Sequence, residues 1–383
     1  MNFSKAIIWS ASVMLTCPIA AKADGLVVPA TVQTSSPATS KAIGPGIHAP
    51  ATSPTVIPVT AAVAAPEKLT VAPAKPTFVP LIKGSGLDGW VVHEGKASAW
   101  KRDGDIISCT SSVGGWLRTE AAYSDFEVKL EYRLQSGGNT GVGLRCPTEG
   151  NPTFTGIEIQ LLDDSAAKYS GLRPDQYTGS IYYQVAATQR ATLKPVGEWN
   201  LCEILCAGET ICVKINGEVV NEITLNAQNS SDDGSELPKA RYQLSQRPPI
   251  GHIALQSHSS RVDFRQIEVK DLTVKTPTGL KYLDLTNGSG EPAQQARAVT
   301  VHYVGQLSDG KRFADTRELG TPVTVNLSDV IPGWQEGIRG MRVGGRRRLI
   351  VPPSLAYGVP GVGDVIPPDS TLVFEVDLMG VEN

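Results

Sequence analysis

The segment Val299–Phe374, close to the C-terminus, decides the fold of this chain. It reads Val-Thr-Val-His-Tyr-Val-Gly at 299–305, Val-Ile-Pro-Gly-Trp-Gln-Glu-Gly-Ile at 330–338, Ala-Tyr-Gly at 356–358 and Ile-Pro-Pro-Asp-Ser-Thr-Leu-Val-Phe at 366–374. Apolar and polar residues alternate at both ends of the segment, which is the period of a half-buried strand. Trp334 and Ile338 recur at helical spacing, and Pro332 suits the first turn of a helix. The pattern predicts one short helix packed on an antiparallel sheet.

Aromatic side chains of this region are predicted to converge on that helix. They are Tyr303, Phe313, Trp334, Tyr357 and Phe374. One interpretation is that they simply fill a core, because large apolar groups usually do so. The other interpretation is an apolar pocket, and spacing alone leaves both open.

Five short motifs between Thr278 and Glu382 carry a resemblance. They are Val-His-Tyr-x-Gly, Asp-Gly-x-x-Phe, Val-Ile-x-Gly-Trp-x-Glu-Gly, Ala-Tyr-Gly and Ile-Pro-Pro-x-x-Thr-Leu-Val-Phe. In order and spacing this region resembles the FKBP-type peptidyl-prolyl cis–trans isomerases. The resemblance implies a curled antiparallel sheet around a short helix, catalytic roles for the five aromatic residues, and Trp334 as the floor of the pocket. It also implies substrate contacts for Val323, Val330, Ile331, Ile366 and Asp315.

The chemistry that this resemblance implies needs an apolar pocket. Rotation about an X–Pro bond is slow because amide resonance raises a barrier of roughly 18–20 kcal/mol. An apolar, dry pocket disfavours the charge-separated planar amide and thereby favours the twisted transition state. No metal or other cofactor is expected, and the expected partners are proline-containing client polypeptides. The resemblance implies that the Ile331 N–H and the Tyr357 O–H bind carbonyl groups of the substrate.

One position departs from the family pattern. The family usually has Asp directly after the Phe of this loop, whereas here Ala314 follows Phe313 and Asp315 comes one place later. A carboxylate bonded to Tyr357 is therefore predicted to be lost or shifted, and the activity to be retained but weaker. The Gly-rich loop 358–363 is expected to overhang the pocket and to tune substrate choice.

The first 75 residues have the composition of an export signal and a linker. Residues 1–23 are predicted to be a signal peptide, with Lys5, a mostly apolar run and the small-x-small site Ala-Lys-Ala at 21–23. Lipidation at Cys17 is an alternative, since Leu-Thr-Cys loosely resembles a lipobox. Residues 24–75 are rich in Pro, Ala, Thr and Ser, which predicts a disordered, extended tether. We expect an exported protein, periplasmic or extracellular, without a transmembrane segment.

Short alternating segments dominate residues 76–274. Apolar and polar residues alternate strictly from Phe126 to Leu134 and again from Ile157 to Leu161, and Ala-Gly-Glu at 207–209 is a hairpin signal. Many short strands without long helical patterns predict a β-sandwich. The expected fold class is mainly β in two domains. A jelly-roll sandwich over 76–274 precedes an FKBP-like α+β domain over 275–383.

The larger domain carries a second resemblance. Its motifs are Gly-Leu-Asp-Gly-Trp at 86–90, Gly-Gly-Trp-Leu at 114–117, Gly-Ile-Glu-Ile-Gln at 156–160, Gly-Glu-Trp-Asn at 197–200 and Gly-His-Ile-Ala-Leu-Gln at 251–256. Together they resemble the 3-keto-disaccharide hydrolase family, a concanavalin-like jelly roll often found in exported bacterial proteins. Glycoside cleavage usually needs an acid and a base, but the ketone of a 3-keto sugar lets one base start an elimination. The candidate sugar-site residues are Arg145, Glu158, Gln160, Asp163, Tyr182, Trp199 and His258.

Structural interpretations compete with this sugar site. Glu158 and Gln160 share the strand face opposite Ile157, and that face could equally be a solvated outer one. Trp199 is more typical of a core, and His258 of a surface. The sequence locates no catalytic pair.

The cysteines that remain after residues 1–23 all belong to the larger domain. They are Cys109, Cys146, Cys202, Cys206 and Cys212. A disulfide in an oxidising compartment and buried thiols both stay open. The spacings match no zinc pattern, so no metal is expected.

Two functions of different class follow. In the first, the protein is an exported prolyl isomerase whose sandwich binds or cleaves glycans. In the second, the sandwich is a 3-keto-glycoside hydrolase and the FKBP-like domain is only a binding module. The net charge of −3 argues against nucleic acid as the main partner.

Overall fold

The computed structural model describes residues 75–110, 113–225, 244–258 and 260–383, all of which belong to one compact unit. The predicted signal peptide at 1–23 and nearly all of the predicted tether lie outside the described residues. Among the described residues, no helix is both long enough and apolar enough to cross a membrane.

The N-terminal domain is built from short strands, as the alternating pattern predicts. Within the described ranges they are β1 Val79–Pro80, β2 Trp90–His93, β3 Trp100–Asp103, β4 Ile106–Cys109, β5 Trp116–Tyr123, β6 Phe126–Leu134, β7 Asn139–Cys146, β8 Ile157–Leu162, β9 Asn200–Ala207, β10 Thr210–Ile215, β11 Glu218–Thr224, β12 Gly251–Gln256 and β13 Val262–Asp271. One turn of α-helix, α1 Pro152–Thr155, precedes β8. Short 3-10 helices are Ala97–Ala99, Ala167–Tyr169, Pro174–Gln176 and Leu244–Gln246.

Two antiparallel sheets form the sandwich. The larger sheet has the order β11-β10-β9-β6-β13-β4-β3, with β1 paired to β13, and the smaller sheet has the order β2-β5-β12-β7-β8. Apolar residues at every second position give each sheet an apolar face, so the two sheets stack. Their inward side chains form one hydrophobic core that includes Phe126, Leu144 and Phe264.

A bulge interrupts the alternation in the smaller sheet. Arg145 has a left-handed backbone with φ 49°, where the pairing of β7 and β12 shifts register between His252 and Ala254. Leu144 therefore faces the core, while Cys146 packs with Ala254 in a separate small cluster. The bulge thus determines which side chains of β7 leave the core.

The C-terminal domain contains one antiparallel sheet and one longer helix. Its strands are β14 Val274–Lys275, β15 Lys281–Thr286, β16 Ala298–Leu307, β17 Arg312–Asp315, β18 Val323–Asn326, β19 Arg346–Val351 and β20 Leu372–Glu382. The order is β14-β15-β19-β20-β16-β17, and β18 also pairs with β16. Helix α2, Pro332–Arg339, begins with the proline where the sequence predicts it. The 3-10 helices of this domain are Ala293–Gln295, Leu327–Asp329 and Pro353–Leu355.

The predicted fold class is confirmed: the chain is mainly β, with a jelly-roll-like sandwich before an FKBP-like domain with one short helix. The predicted strands at 126–134 and 157–161 are present as β6 and β8. The solvated interpretation of the outer face of β8 is wrong. Glu158 and Gln160 are each only 2% exposed, because other segments of the domain cover that face.

Candidate functional site

Four aromatic rings meet beside helix α2, and we call Tyr303, Phe313, Trp334 and Phe374 the aromatic cluster. Trp334 lies edge-on to Tyr303 with ring centroids 4.9 Å apart, and edge-on to Phe374 at 5.3 Å. Phe313 meets Phe374 edge-on at 5.7 Å. Such pairs are favourable beyond the area that they bury. The predicted convergence is confirmed, and Tyr357 packs against the same core.

The aromatic cluster has a buried floor and a more open rim. Trp334 is 5% exposed and Phe374 is 4% exposed. Phe313, Tyr357 and Val323 are half-buried at the rim. The other apolar residues predicted to contact substrate are buried in the same core, and they are Val330, Ile331 and Ile366. An apolar floor under an accessible rim suits a small apolar ring.

Glycines allow the close packing that positions these rings. A Cβ on Gly337 of helix α2 would lie 2.6 Å from Leu349 Cδ2, so only glycine lets the helix approach β19 this closely. A Cβ on Gly305 would lie 2.6 Å from Phe313 Cε2. The glycines therefore set the positions of Trp334 and of the rim.

Polar donors edge the aromatic cluster. In the part of the chain that the structure describes, the Ile331 N–H has no acceptor, because it precedes the first turn of α2. The Trp334 Nε1–H likewise has no hydrogen-bond partner among the described residues. Burial raises the pKa of Tyr303, and burial together with Tyr303 raises the pKa of Tyr357. Both phenols are therefore neutral donors at physiological pH.

The Asp315 carboxylate is engaged within its own turn. It accepts hydrogen bonds from the N–H groups of Arg317 and Glu318 at 3.0 and 3.1 Å and from Arg312 Nη1 at 3.0 Å. No hydrogen bond joins it to Tyr357 within the described ranges. The geometry thus gives Asp315 a role in the turn rather than at the substrate.

A second site lies on the outer face of the smaller sandwich sheet, around Glu158. Burial raises the pKa of Glu158 to about 7, against the lowering effect of hydrogen bonds from the Thr153 and Gln256 side chains. The Glu158 Oε2 atom has no hydrogen-bond partner among the residues that the structure describes. A Cβ on Gly141 would lie 2.5 Å from Glu158 Oε1, so glycine makes room for the carboxyl group. A carboxyl with this pKa can accept a proton at neutral pH.

We call Glu158, Arg118, Cys146, His252 and Gln256 the Glu158 cluster. Arg118 Nη1 lies 3.3 Å from His252 Nε2, and burial together with the Arg118 charge lowers the pKa of His252. Burial raises the pKa of the Cys146 thiol, and Glu158 adds to this effect. Arg118 and Glu158 both influence the pKa of Cys146, which places them in one cluster. A carboxyl base with a guanidinium in the same cluster is a set of groups that can stabilise an enolate formed by proton removal.

Sequence reasoning identified Glu158 but missed the other four members of this cluster. They belong to β5, β7 and β12, which are distant in the chain and neighbours only in the sheet. The available signal was the motif at 251–256, which contains His252 and Gln256. Its pairing with β5 and β7 depends on register, which a single sequence does not reveal.

Gln160 and Tyr182, both predicted sugar-site residues, lie next to the Glu158 cluster. Gln160 follows Glu158 on the same strand face and donates from Nε2 to Asn139 Oδ1 at 3.2 Å. The Tyr182 N–H donates to the Glu158 carbonyl at 2.9 Å, and its ring lies 4.1 Å from that of Tyr183. The structure thus brings three of the seven predicted residues together.

Asp163 and His258 have other surroundings. The Asp163 carboxylate accepts from the Gly137 N–H at 2.7 Å and lines a cavity of about 460 Å³. Burial lowers the pKa of His258, and the nearby Lys168 lowers it further. The side chains that bond to Glu158 are instead those of Thr153 and Gln256.

Trp199 and Arg145 are engaged elsewhere in the sandwich. The Trp199 ring has the guanidinium groups of Arg133 and Arg265 at 4.5 and 4.2 Å, so cations already occupy the place where a sugar would stack. Arg145 is 2% exposed, and its Nη2 atom lies 3.5 Å from Asp125 Oδ1. Neither side chain joins the Glu158 cluster.

The five cysteines among the described residues form no disulfide with one another. Cys109, Cys146, Cys202 and Cys206 are buried, and Cys212 is partly buried. Of the two alternatives for the cysteines, the structure therefore shows the buried thiols. Within the described ranges no group of three or more metal-binding side chains occurs.

Two family models match the chain. The model described as 3-keto-alpha-glucoside-1,2-lyase-like domain matches residues 77–270, which is half of the chain. The model described as FKBP-type peptidyl-prolyl cis-trans isomerase matches residues 289–379. A putative glycosyl hydrolase from Parabacteroides distasonis, known as a crystal structure, aligns with 51% of this chain and 100% of its own length. That alignment has 28% identity and a TM-score of 0.46.

Relatives of the C-terminal domain are similar in sequence. The FKBP-type peptidyl-prolyl cis-trans isomerase FkpA of Escherichia coli is 39% identical over 145 residues, which are 38% of this chain and 53% of FkpA. The chain therefore spans about half the length of that relative. The FK506-binding protein of Neisseria meningitidis is 44% identical over 105 residues, which are 27% of this chain and 96% of that protein. The chain thus belongs to the 3-keto-alpha-glucoside-1,2-lyase-like domain family and carries an FKBP-type peptidyl-prolyl cis–trans isomerase domain at its C-terminal end.

Proposed function

We propose that this protein is an exported peptidyl-prolyl cis–trans isomerase that acts on X–Pro bonds of client polypeptides. The observation that carries the proposal is the aromatic cluster, in which Trp334 is buried under Tyr303 and Phe374 beneath a half-buried rim. The likeness to FkpA, which is named as such an isomerase, supports it. Ala314, in place of the family's carboxylate, supports a rate below that of the family.

In the proposed mechanism the proline ring of the client packs on the Trp334 indole. The planar amide loses more solvation there than the twisted amide, since it has the larger charge separation, and the barrier falls. The Ile331 N–H and the neutral Tyr357 O–H bind carbonyl groups on either side of the rotating bond. Each donor contributes on the order of 1 kcal/mol if it binds more strongly in the twisted state.

Export and domain organisation belong to the same proposal. The composition of residues 1–75 supports a signal peptide followed by a tether. The proposed domains at 76–274 and 275–383 enclose the matched ranges 77–270 and 289–379. The isomerase would therefore act outside the cytoplasm, where proline-containing proteins fold after secretion.

The test is the rate of cis–trans exchange in a proline-containing tetrapeptide, measured by NMR exchange spectroscopy. The protein used is the chain from residue 24 to residue 383 at micromolar concentration. We expect a rate above the spontaneous one that saturates with peptide. Exchange at the spontaneous rate, from a chain shown to be folded, would overturn the proposal.

We propose cleavage of 3-keto glycosides as a second function, since Glu158 is a buried carboxyl with a pKa of about 7. Glu158 would remove the proton from C2, next to the C3 ketone, and the electron pair would form an enolate. The enolate would then re-form the C3 ketone, make the C1=C2 double bond and break the C1–O glycosidic bond, and the departing oxygen would take up the proton held by Glu158 or one from water. Arg118 would stabilise the enolate charge. Thr153 of helix α1 bonds to Glu158, so a sugar reaches the carboxyl only when that segment moves.

A 3-keto disaccharide incubated with the full chain tests this second function. We expect an enone product that absorbs in the ultraviolet, and its loss in Glu158→Gln. Glu149→Gln, at an exposed position of the same domain, is the matched control. Equal product from the wild type and Glu158→Gln, or none above background, would exclude Glu158 as the base.

A further inference from the structure

A buried ion pair joins the isomerase domain to the sandwich. Arg348 on β19 donates from Nη1 to Asp125 Oδ1 of the sandwich at 3.1 Å, and from Nη2 to Glu375 on β20. The side chains of Arg348 and Asp125 are 5% and 0% exposed. Burying charged groups this completely is too costly for the folded state unless each charge has a counter-charge.

Asp125 is held firmly on the sandwich side. It lies in the turn between β5 and β6, and its Oδ1 also accepts from the Gly208 N–H at 2.6 Å. The Ser124 hydroxyl donates to Oδ2 at 2.7 Å, and Arg145 Nη2 lies 3.5 Å from Oδ1. One carboxylate therefore serves two buried arginines, one from each domain. The Asp125 carboxylate is thus the counter-charge of Arg145, the residue at the bulge of β7.

On the isomerase side the ion pair lies behind the aromatic cluster. Arg348 and Glu375 are paired across β19 and β20, as are Leu349 and Phe374. Neighbouring residues of a strand point to opposite faces, so Phe374 faces the cluster while Glu375 faces the sandwich. Burial would raise the pKa of Glu375, but the Arg348 charge lowers it.

Close packing elsewhere continues this interface. A Cβ on Gly208 would lie 2.9 Å from Leu285 Cδ2 of β15. A Cβ on Gly310, in the turn after β16, would lie 2.8 Å from the Gln246 carbonyl oxygen of the sandwich. The contact is therefore a packed surface and not a single ion pair.

We propose that the sandwich is a structural part of the isomerase, and that Asp125 is the counter-charge that makes the two domains unfold as one cooperative unit. Domains joined by a short linker usually move independently. Here a separated isomerase sheet would leave Arg348 with Glu375 alone, and a sandwich without Asp125 would leave Arg145 and Arg348 both short of a carboxylate. Asp125 thus stabilises strands β19 and β20 from the face opposite to the aromatic cluster.

Hydrogen exchange of the full chain, followed by mass spectrometry, tests this proposal. In Asp125→Asn we expect hydrogen exchange in β19 and β20 to be at least tenfold faster than in the wild type. We also expect the wild type to unfold in one thermal transition and Asp125→Asn to unfold in two. The matched control is Asp263→Asn. Asp263 pairs with Arg133 and Arg261 inside the sandwich, so its loss should leave β19 and β20 unchanged.

Two outcomes would overturn the proposal. One is unchanged exchange in β19 and β20 when Asp125→Asn loosens the sandwich. The other is an equal effect of the Asp263→Asn control. If Asp125→Asn does not fold, Leu285→Ala decides, because it removes an apolar interface contact without stranding a charge. We expect two- to threefold faster exchange in β19 and β20 for Leu285→Ala, and no change would count against the proposal.

Discussion

The aromatic cluster and the Glu158 cluster both lie on antiparallel sheets, but they bury different chemistry. The first buries neutral rings, and the groups that can bind substrate there are N–H and O–H donors at its edge. The second buries the Glu158 carboxyl and places the half-buried Arg118 guanidinium 3.3 Å from the His252 imidazole. Neutral rings stabilise a fold wherever they pack, whereas buried ionisable groups cost stability unless they have partners.

This difference separates the evidence for the two functions. Packing alone could explain the aromatic cluster, so its function depends on the open rim and on the family match. Packing does not explain Glu158, because a buried carboxyl with an unpartnered oxygen destabilises the fold. A costly feature of this kind is a marker of a functional site.

The largest expected effect concerns Trp334. We expect Trp334→Ala to lower the isomerase rate roughly 100-fold, which is about 3 kcal/mol of transition-state stabilisation, because the apolar floor is lost. The cavity should also cost about 3–5 kcal/mol of folding free energy. The measurements are the peptide exchange rate at 10 °C and thermal unfolding.

Trp199→Ala is the matched control for that change. It removes the same side chain from the sandwich, where Trp199 contacts Arg133 and Arg265, and the isomerase rate should not change. A folded Trp334→Ala variant with the wild-type rate would reduce the aromatic cluster to a core and leave the sandwich as the candidate for activity.

The second effect concerns the free energy of unfolding and Glu158. The raised pKa means that the folded state holds the proton more tightly than the unfolded state, so stability falls as the pH rises from about 4.5 to about 7. We expect Glu158→Gln to remove this loss and to be more stable than the wild type at pH 8 by on the order of 3 kcal/mol. Near pH 4.5 the two proteins should be equally stable.

Chemical denaturation at pH 4.5, 6 and 8 measures this difference. Glu149→Gln should follow the wild type at every pH, because Glu149 is exposed. A stability difference between Glu158→Gln and the wild type that does not vary with pH would show that Glu158 is ionised alike in both states.

The sequence predicted the two sites unequally, for a physical reason. The residues of the aromatic cluster lie in short motifs on one domain, where strand alternation and one helix bring them together. Members of the Glu158 cluster come from strands whose neighbours in the sheet are remote in the chain, such as β5 and β12. Alternation gives the face of each strand but not its partner.

Arg145 shows a second limit of alternation. Strand period would place Arg145 on the face opposite Leu144 and Cys146, yet the bulge at Arg145 turns the guanidinium toward Asp125. A bulge needs the paired strand to define it, so the sequence alone suggests a sugar contact where the structure shows an ion pair.

A smaller effect should follow from Tyr357→Phe. We expect a two- to tenfold lower isomerase rate, since one hydrogen bond of about 0.5–1.5 kcal/mol is lost while the apolar rim stays. Tyr282→Phe is the matched control, because Tyr282 lies in the same domain against Arg347 and outside the aromatic cluster. A rate equal to the wild type would leave the Ile331 N–H as the proposed donor and would remove Tyr357 from the mechanism.

The smallest expected effect is that of pH on the isomerase, and it contrasts the two sites directly. The pKa values of Tyr303 and Tyr357 are both raised above 10, so neither phenol ionises between pH 6 and 9. His302 lies beside Tyr303 in β16 but contacts Thr316 on the other face of the strand. We expect the rate of peptide exchange to vary less than about twofold over this range, because no charge takes part.

Cleavage of a 3-keto sugar should instead rise through about pH 7 as Glu158 loses its proton. A sigmoidal isomerase profile centred near pH 7 would contradict a purely apolar mechanism and would indicate that an ionisable group controls the pocket.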